Sequence, residues 1–181
     1  MEVGLFPAIV GMKGFVPTME GPVTIRSFDG SPADAEGLLG VERATFDESP
    51  YTAAEVQAML VDGPQRAWVA VQEDRVAGFV IGFPVTGLSG SWWEVDLLAV
   101  HPDWRGRRLG HHLIKAATDF GAGIARKARA VVAEDNGASE QAFLRAGFEV
   151  APGRRELAKW TKVCESGSAY RINPRVAMKD S

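Results

Sequence analysis

Three arginines within four positions mark the part of this chain best suited to bind an anion. Arg105, Arg107 and Arg108 follow an apolar stretch typical of a strand, and Gly110 introduces a helical pattern. A helix start leaves N–H groups without intrahelical acceptors and carries the positive end of the helix dipole, so phosphates dock there and guanidinium groups add charge-assisted bonds. The predicted ligand is therefore a phosphate-bearing cofactor. The candidate phosphate-binding residues are Arg105, Gly106, Arg107, Arg108, Leu109, Gly110 and His111.

Two carboxylates in the preceding strand are candidates for proton transfer. Glu94 and Asp96 lie two residues apart, so in a strand without a bulge they share a face with Trp92 and Leu98. An ordinary strand face with solvated or paired carboxylates is the alternative interpretation of both residues. No metal site is predicted, because the adjacent His111 and His112 diverge on a helix.

The composition is that of a globular protein rather than of a nucleic-acid binder. The chain has 181 residues, 46% of them hydrophobic, and a net charge of -3, so the arginine cluster is a local feature. Cys164 is the single cysteine, which excludes an internal disulfide and is compatible with a cytoplasmic location. The apolar start contains Glu2 and Pro7 and resembles neither a signal peptide nor a membrane span. We expect an arm over residues 1–22 and one domain over 23–181.

Periodicity predicts one strand, two helices, three strands, a helix, a strand, a helix and two further strands. Helix starts are marked by Ser31 with Pro32, by the capping box from Thr52 to Glu55, and by Asn136. A meander followed by a strand–helix–strand crossover predicts an α/β (α+β) fold with a mixed sheet, antiparallel at first and then parallel. The predicted strands are 23–28, 66–72, 76–83, 92–100, 130–133 and one starting at 148, followed by a hairpin with arms 156–163 and 170–178 around 165–169.

The segment VDLLAVHPDWRGRRLGHHLI, with Asn136 and the downstream AFLRAGFE, resembles the GNAT superfamily of acyl-CoA-dependent N-acetyltransferases. The family's phosphate loop reads Arg or Gln, two residues, Gly or Ala, one residue, Gly or Ala. Arg105 and Gly110 match this pattern, whereas Arg108 replaces the usual small residue. The resemblance spans roughly residues 23 to 150 by element order. The segment has neither the GK[ST] of a Walker loop nor the three glycines of a Rossmann fingerprint, so it matches neither of these phosphate-binding motifs.

The resemblance implies a GNAT-like fold whose third meander strand splays from its parallel neighbour to admit acetyl-CoA as co-substrate. Leu98, Ala99 and Val100 would then offer backbone groups to the pantetheine arm, and an N–H of this stretch would hold the thioester oxygen as it gains charge. An ordinary core strand is compatible with the same residues. Asn136 caps its helix and could also bind the cofactor arm. Phe143, assigned to the same cofactor site, stands where many relatives carry a tyrosine that protonates the leaving thiolate.

The function implied is direct transfer of acetyl to a primary amine, without an acyl-cysteine intermediate. An amine is mostly protonated at neutral pH, so a base is needed, and Glu94 and Asp96 are the candidates. A small molecule such as a polyamine, amino acid or aminoglycoside-like compound is the expected acceptor, without a nucleic-acid or membrane partner, and a homodimer is compatible with the apolar arm. A protein N-terminus or lysine is the alternative acceptor. A CoA-binding sensor without turnover is the alternative from another class.

Overall fold

A computed structural model of the chain describes residues 21–46, 48–88, 90–133, 135–150, 160–164 and 168–169. No helix in these ranges is both long and apolar enough to cross a bilayer. The elements in chain order are β1 (Thr24–Ser27), α1 (Pro32–Phe46), α2 (Ala53–Asp62), β2 (Arg66–Gln72), β3 (Arg75–Gly87), β4 (Gly90–Val100), a 3-10 turn (Pro102–Trp104), α3 (Leu109–Ala122), β5 (Ala128–Val132), α4 (Gly137–Arg145), β6 (Phe148–Val150), β7 (Trp160–Cys164) and β8 (Ser168–Ala169).

The strands form one mixed sheet in the order β1-β2-β3-β4-β5-β7-β6, with β8 paired to β7. The pairs from β1 to β4 are antiparallel, whereas β4 and β5 are parallel, as expected for strands joined by the crossover helix α3. The α/β mixed-sheet fold predicted from the sequence is therefore confirmed.

Local side-chain chemistry fixes where the helices begin. The Asp34 N–H donates to the Ser31 hydroxyl at 3.1 Å at the start of α1. Thr52 and Glu55 form the predicted capping box at the start of α2. Asn136 accepts a bond from the Ser139 N–H at 3.0 Å at the start of α4. Each signal is short-range in sequence, so these boundaries were predictable without the fold.

Two apolar layers lie on opposite faces of the sheet. One contains Trp93, Val95 and Leu113 and is covered by α3 and α4, and we call it the α3 core. The other contains Leu38 and Leu97, lies under α1 and α2, and is called the α1 core. Because strand residues alternate between faces, this assignment shows on which side of the sheet each β4 side chain lies.

A bulge in β4 changes that alternation. Ile81 of β3 is opposite Leu97, but the next residue, Gly82, is opposite Val95, so Asp96 is the extra residue. A Cβ on Gly82 would lie 2.8 Å from the Glu94 carbonyl oxygen, and glycine is therefore suited to the close approach of the strands here. The expectation that Leu98 shares a face with Glu94 is wrong, because the bulge turns Leu98 toward the α3 core.

The structure also changes two details of the predicted elements. The strand predicted at 130–133 is β5, which begins two residues earlier and spans Ala128–Val132. Ser168 and Ala169, expected in the connection of the last hairpin, form a strand paired with β7. The second arm predicted at 170–178, the first residues of the other arm, and residues 1–20 of the N-terminal arm lie outside the described residues.

Candidate functional site

The central feature of the site is the point where β4 and β5 separate. Their register contains only the pairs Trp93 with Ala128 and Glu94 with Arg129, after which β5 continues along β7. A cleft of about 410 Å3 opens beyond this point, between the end of β4, the loop before α3, and α4. Its lining is Thr45, Phe46, Leu98, Ala99, Val100, Trp104, Arg105, Gly106, Arg108, Leu109, Gly110, His111, Asn136, Ala138, Ser139, Gln141, Ala142 and Arg145.

The loop before α3 presents unpaired backbone donors to this cleft. Gly106 has φ 79°, and Arg108 occupies the left-handed region at φ 61° and ψ 17° as the N-cap of α3. The His112 N–H donates to the Arg108 carbonyl at 3.3 Å. The N–H groups of residues 109–111 precede this bond and have no intrahelical acceptor, so they can bind an anion at the positive end of a 14-residue helix.

A buried glutamine holds the loop in place. Gln72, at the end of β2, is 2% exposed, and its side-chain oxygen accepts from Trp104 Nε1 at 2.9 Å and from Arg107 Nη1 at 3.4 Å. On the other side of the loop, Arg105 Nε donates to the Val100 carbonyl at 3.3 Å. The loop is thus tied to both β2 and β4. The sequence does not single out Gln72, because its partners lie far away along the chain.

The charge of the cleft is positive. Arg105, Arg108 and Arg145 line it, and no acidic residue is among the described residues of its lining. Arg145, from the last turn of α4, was not predicted from the sequence, since nothing in the local pattern relates this turn to the phosphate loop. Guanidinium groups and helical N–H donors together form a site for a phosphorylated ligand.

His111 adds a titratable group to the same wall. Its Nδ1 is buried and, within the described part of the chain, has no hydrogen-bond partner. Burial lowers the pKa of His111, and the positive charges of His112, Arg108, Lys115 and Arg145 lower it further. The imidazole is therefore neutral at neutral pH, and an anion bound beside it would favour its protonated form.

Most of the predicted cofactor residues are brought together, but two side chains are directed elsewhere. Arg107 reaches back to Gln72, so it supports the loop from outside the cleft. Phe143 is fully buried in the α3 core, with its ring centroid 5.0 Å from that of Phe148. Asn136 both caps α4 and lines the cleft. The two interpretations of Asn136 are thus structurally compatible.

Glu94 lies in a buried polar cluster on the face of β4 opposite the α3 core. It is 5% exposed, and its Oε2 accepts from Trp92 Nε1 at 2.6 Å. Arg129 Nε lies 3.2 Å from the same oxygen, and the Arg129 guanidinium carbon is 4.5 Å from the centroid of the Trp92 ring. Glu94 is thus engaged by two donors and is absent from the described lining of the cleft.

A second cavity of about 150 Å3 is lined by Asp96 and Leu97 of β4, the two residues before those that line the cleft. It lies between α1, α2 and the strands β3 and β4, and two carboxylates, Glu42 and Asp96, are in its lining. The bulge accounts for the position of Asp96, because the extra residue joins Leu97 on the α1 side of the sheet. The remaining lining residues are Leu38, Tyr51, Val56, Met59, Gln65, Ile81, Phe83 and Leu97.

The two cavities have opposite charge and share the strand β4. The cleft carries arginines and backbone donors suited to phosphate, whereas the second cavity has acidic groups suited to a cation. Among the residues described, no group of three or more His, Cys, Asp or Glu side chains is placed to hold a metal ion. The arrangement can hold a phosphorylated molecule in the cleft and a cationic molecule in the second cavity.

Comparison with known proteins identifies a family. The family model described as the acetyltransferase (GNAT) family matches residues 36–148. No curated protein sequence gives a significant match. The family match includes β4, the phosphate loop, α3 and α4, which are the elements that form the cleft.

Solved structures of low sequence identity share the fold. The aminoglycoside acetyltransferase meta-AAC0020 from an uncultured soil metagenomic sample, in complex with sisomicin, has a TM-score of 0.58 and 18% identity, covering 68% of this chain and 86% of its own. The aminoglycoside acetyltransferase AAC(6')-Iy, in complex with a bisubstrate analogue, has a TM-score of 0.62 and 16% identity, covering 71% and 92%. PaiA N-acetyltransferase from Thermoplasma acidophilum, in complex with coenzyme A, has a TM-score of 0.61 and 16% identity, covering 79% and 96%.

Proposed function

Because this chain belongs to the acetyltransferase (GNAT) family, we propose that it transfers an acetyl group from acetyl-CoA directly to a primary amine of a small molecule. The observation that carries the proposal is the opening between β4 and β5 beyond Glu94, which places a positively charged cleft along the edge of β4. Splayed parallel strands leave backbone N–H and C=O groups that an extended ligand can pair with.

The residues of the cleft fit a coenzyme A molecule. The N–H groups at the start of α3, with Arg105 and Arg108, would hold the diphosphate. The backbone of Leu98, Ala99 and Val100 would pair with the pantetheine arm, and Asn136 faces the same space. When bound, acetyl-CoA supplies the thioester whose acetyl group is transferred. The coenzyme A complex of PaiA N-acetyltransferase supports this use of the fold.

The transfer forms an amide C–N bond and breaks the thioester C–S bond. A free primary amine is required, but an alkylammonium with a pKa near ~10 is only about one part in a thousand deprotonated at neutral pH. Glu94 and Asp96 remain the candidate proton acceptors. Of the two, Asp96 lines the second cavity, whereas Glu94 is in the described lining of neither cavity, so we assign the amine proton to Asp96, directly or through water.

The leaving thiolate receives no proton from the α4 position that many relatives use, so water or another side chain supplies it, or the thiolate leaves unprotonated. Phe143, at the position where the resemblance places a tyrosine, is a fully buried hydrocarbon ring. A thiol with a pKa near ~8.5 is a tolerable leaving group without such an acid. A sensor that binds coenzyme A without turnover is the second candidate, and Phe143 is the observation that favours it.

A small cationic amine is the proposed acceptor class. The second cavity carries two carboxylates, and the neighbours in complex with sisomicin and with a bisubstrate analogue are aminoglycoside acetyltransferases. A peptide N-terminus or lysine side chain is the alternative acceptor within the same chemistry.

The test combines calorimetry with thiol detection. We expect coenzyme A to release heat on titration into the folded protein, and acetyl-CoA with a panel of small amines and peptides to release free thiol. Arg105→Ala removes a cleft arginine and should weaken coenzyme A binding by about tenfold. Binding without thiol release from any amine would favour the sensor. The absence of coenzyme A binding would exclude both functions.

A further inference from the structure

We propose that Glu42 binds the ammonium group of the acceptor, and that the acceptor is a compact amine with an aliphatic chain rather than a hydroxyl-rich amino sugar. The inference rests on the proposed function, because it assigns the second cavity to the molecule that receives the acetyl group. It adds a specificity-determining residue and a narrower chemical class of substrate.

The first observation is an unpartnered buried charge. Glu42 of α1 is 9% exposed and lines the second cavity. In the part of the chain that the structure describes, this carboxylate has neither a hydrogen bond nor an ion pair. Its oxygens are not among the fully buried unpaired polar atoms of the described residues, so they remain accessible to a ligand. A cation from outside the chain would supply the missing partner.

The second observation is where Glu42 lies between the two cavities. On α1, the coenzyme A cleft is lined by Thr45 and Phe46, which follow Glu42 by three and four residues. Leu38, one turn before Glu42, lines the far part of the second cavity. On the facing strand, Leu98 lines the cleft and Asp96 the second cavity. Glu42 and Asp96 therefore lie at the end of the second cavity nearest the cleft, where the reacting amine must be.

The third observation is the size and polarity of the remaining walls. The volume of this cavity, about 150 Å3, is little more than a third of the 410 Å3 of the cleft, so it suits a small molecule. Beyond the two carboxylates, the described residues of the wall are largely apolar, and Gln65 and Tyr51 are the other polar side chains among them. The aliphatic and aromatic wall residues are Leu38, Val56, Met59, Ile81, Phe83 and Leu97. Such walls favour a short carbon chain and penalise hydroxyl groups that would lose hydrogen bonds to water.

The test measures amine binding directly. Hexylamine and glucosamine, each with one ammonium group, are titrated by calorimetry into protein saturated with coenzyme A. We expect hexylamine to bind more tightly than glucosamine, and Glu42→Gln to weaken hexylamine binding by about tenfold or more. Glu36→Gln, an exposed carboxylate on the same helix, is the matched control and should leave hexylamine binding unchanged.

Two further measurements separate a binding role from damage to the fold. Glu42→Gln removes an unpaired buried charge, so its unfolding temperature should equal or exceed that of the wild type, and its affinity for coenzyme A should be unchanged. Three results would overturn the inference and leave the proposed function standing. Hexylamine could bind equally to the wild type and to Glu42→Gln, the protein could prefer glucosamine, or hexylamine could fail to bind. Loss of coenzyme A binding in the wild type would instead refute the proposed function, and the inference with it.

Discussion

Replacing Arg108 with glycine should stabilise the fold and weaken coenzyme A binding at the same time. Arg108 has φ 61° and ψ 17°, a left-handed conformation that costs an ordinary L-residue about 1–2 kcal/mol. Glycine avoids this steric cost but loses about 0.5–1 kcal/mol more chain entropy on folding. The net expectation is a gain of about 0.5–1 kcal/mol in the free energy of unfolding.

Thermal unfolding measures this gain. For a domain of this size about 1 kcal/mol corresponds to a shift of roughly 2–4 °C, so Arg108→Gly should raise the unfolding temperature by about 2 °C. Arg107→Gly is the control, because Arg107 is not among the residues with positive φ. Glycine there removes no strain and also loses the hydrogen bond of Arg107 to Gln72, so it should lower stability by at least about 0.5–1 kcal/mol.

The ligand side of the prediction needs a second variant. Arg108 lines the cleft, and losing one charge-assisted bond to a phosphate should raise the Kd for coenzyme A by about tenfold. Arg108→Ala removes the same guanidinium but keeps a Cβ in the left-handed conformation. It should therefore show the weaker binding of Arg108→Gly without its added stability.

Two outcomes would refute the reasoning. If Arg108→Gly and Arg108→Ala have the same unfolding temperature, the left-handed conformation stores no strain. If both variants bind coenzyme A as tightly as the wild type does, the Arg108 guanidinium points to solvent and only the backbone of the loop contacts the phosphates. Calorimetry on the same protein samples decides between these cases.

Three further predictions concern the support of the site. Gly121→Ala should destabilise the protein by about 1–3 kcal/mol, because the new Cβ would clash with the Trp93 ring. Gly40→Ala, where a Cβ would meet nothing within 4 Å, should instead stabilise its helix by about 0.5–1 kcal/mol, and denaturant titration compares the two variants. Gln72→Leu should lower stability by about 1–3 kcal/mol, because it leaves the buried indole N–H of Trp104 unpaired. It should also weaken coenzyme A binding, because the loop loses its anchor, and an unchanged affinity would contradict the anchoring role. His111 has a pKa below its usual 6.5 in the folded state, so the unfolded state takes up the proton first and the stability of the fold falls as pH drops through the mid-6 range. The urea midpoints measured at pH 7.5 and 5.5 should therefore differ less in His111→Gln than in the wild type, and an equal difference in both proteins would argue against the burial of His111.

Short-range signals allowed much of the fold to be predicted. The capping box from Thr52 to Glu55, the Asn136 cap and the helical periodicity after Leu109 each depend on residues a few positions apart. Between the predicted strands 66–72 and 76–83 the chain turns at Glu73 and Asp74, and both residues adopt positive φ. The phosphate loop was predictable because one continuous segment supplies the strand end, the arginines and the helix start.

The sequence by itself therefore determined the order of the elements from β1 to β6 and the family, and it predicted the loop that we propose binds an anion. Only the tertiary structure decided what surrounds the carboxylates. The bulge at Asp96, the contact of Glu94 with Arg129 and the unpaired Glu42 all depend on the register and packing of residues distant in the chain. One extra residue in β4 moves every later side chain to the other face of the sheet, and no local pattern in the sequence reports where that residue is inserted.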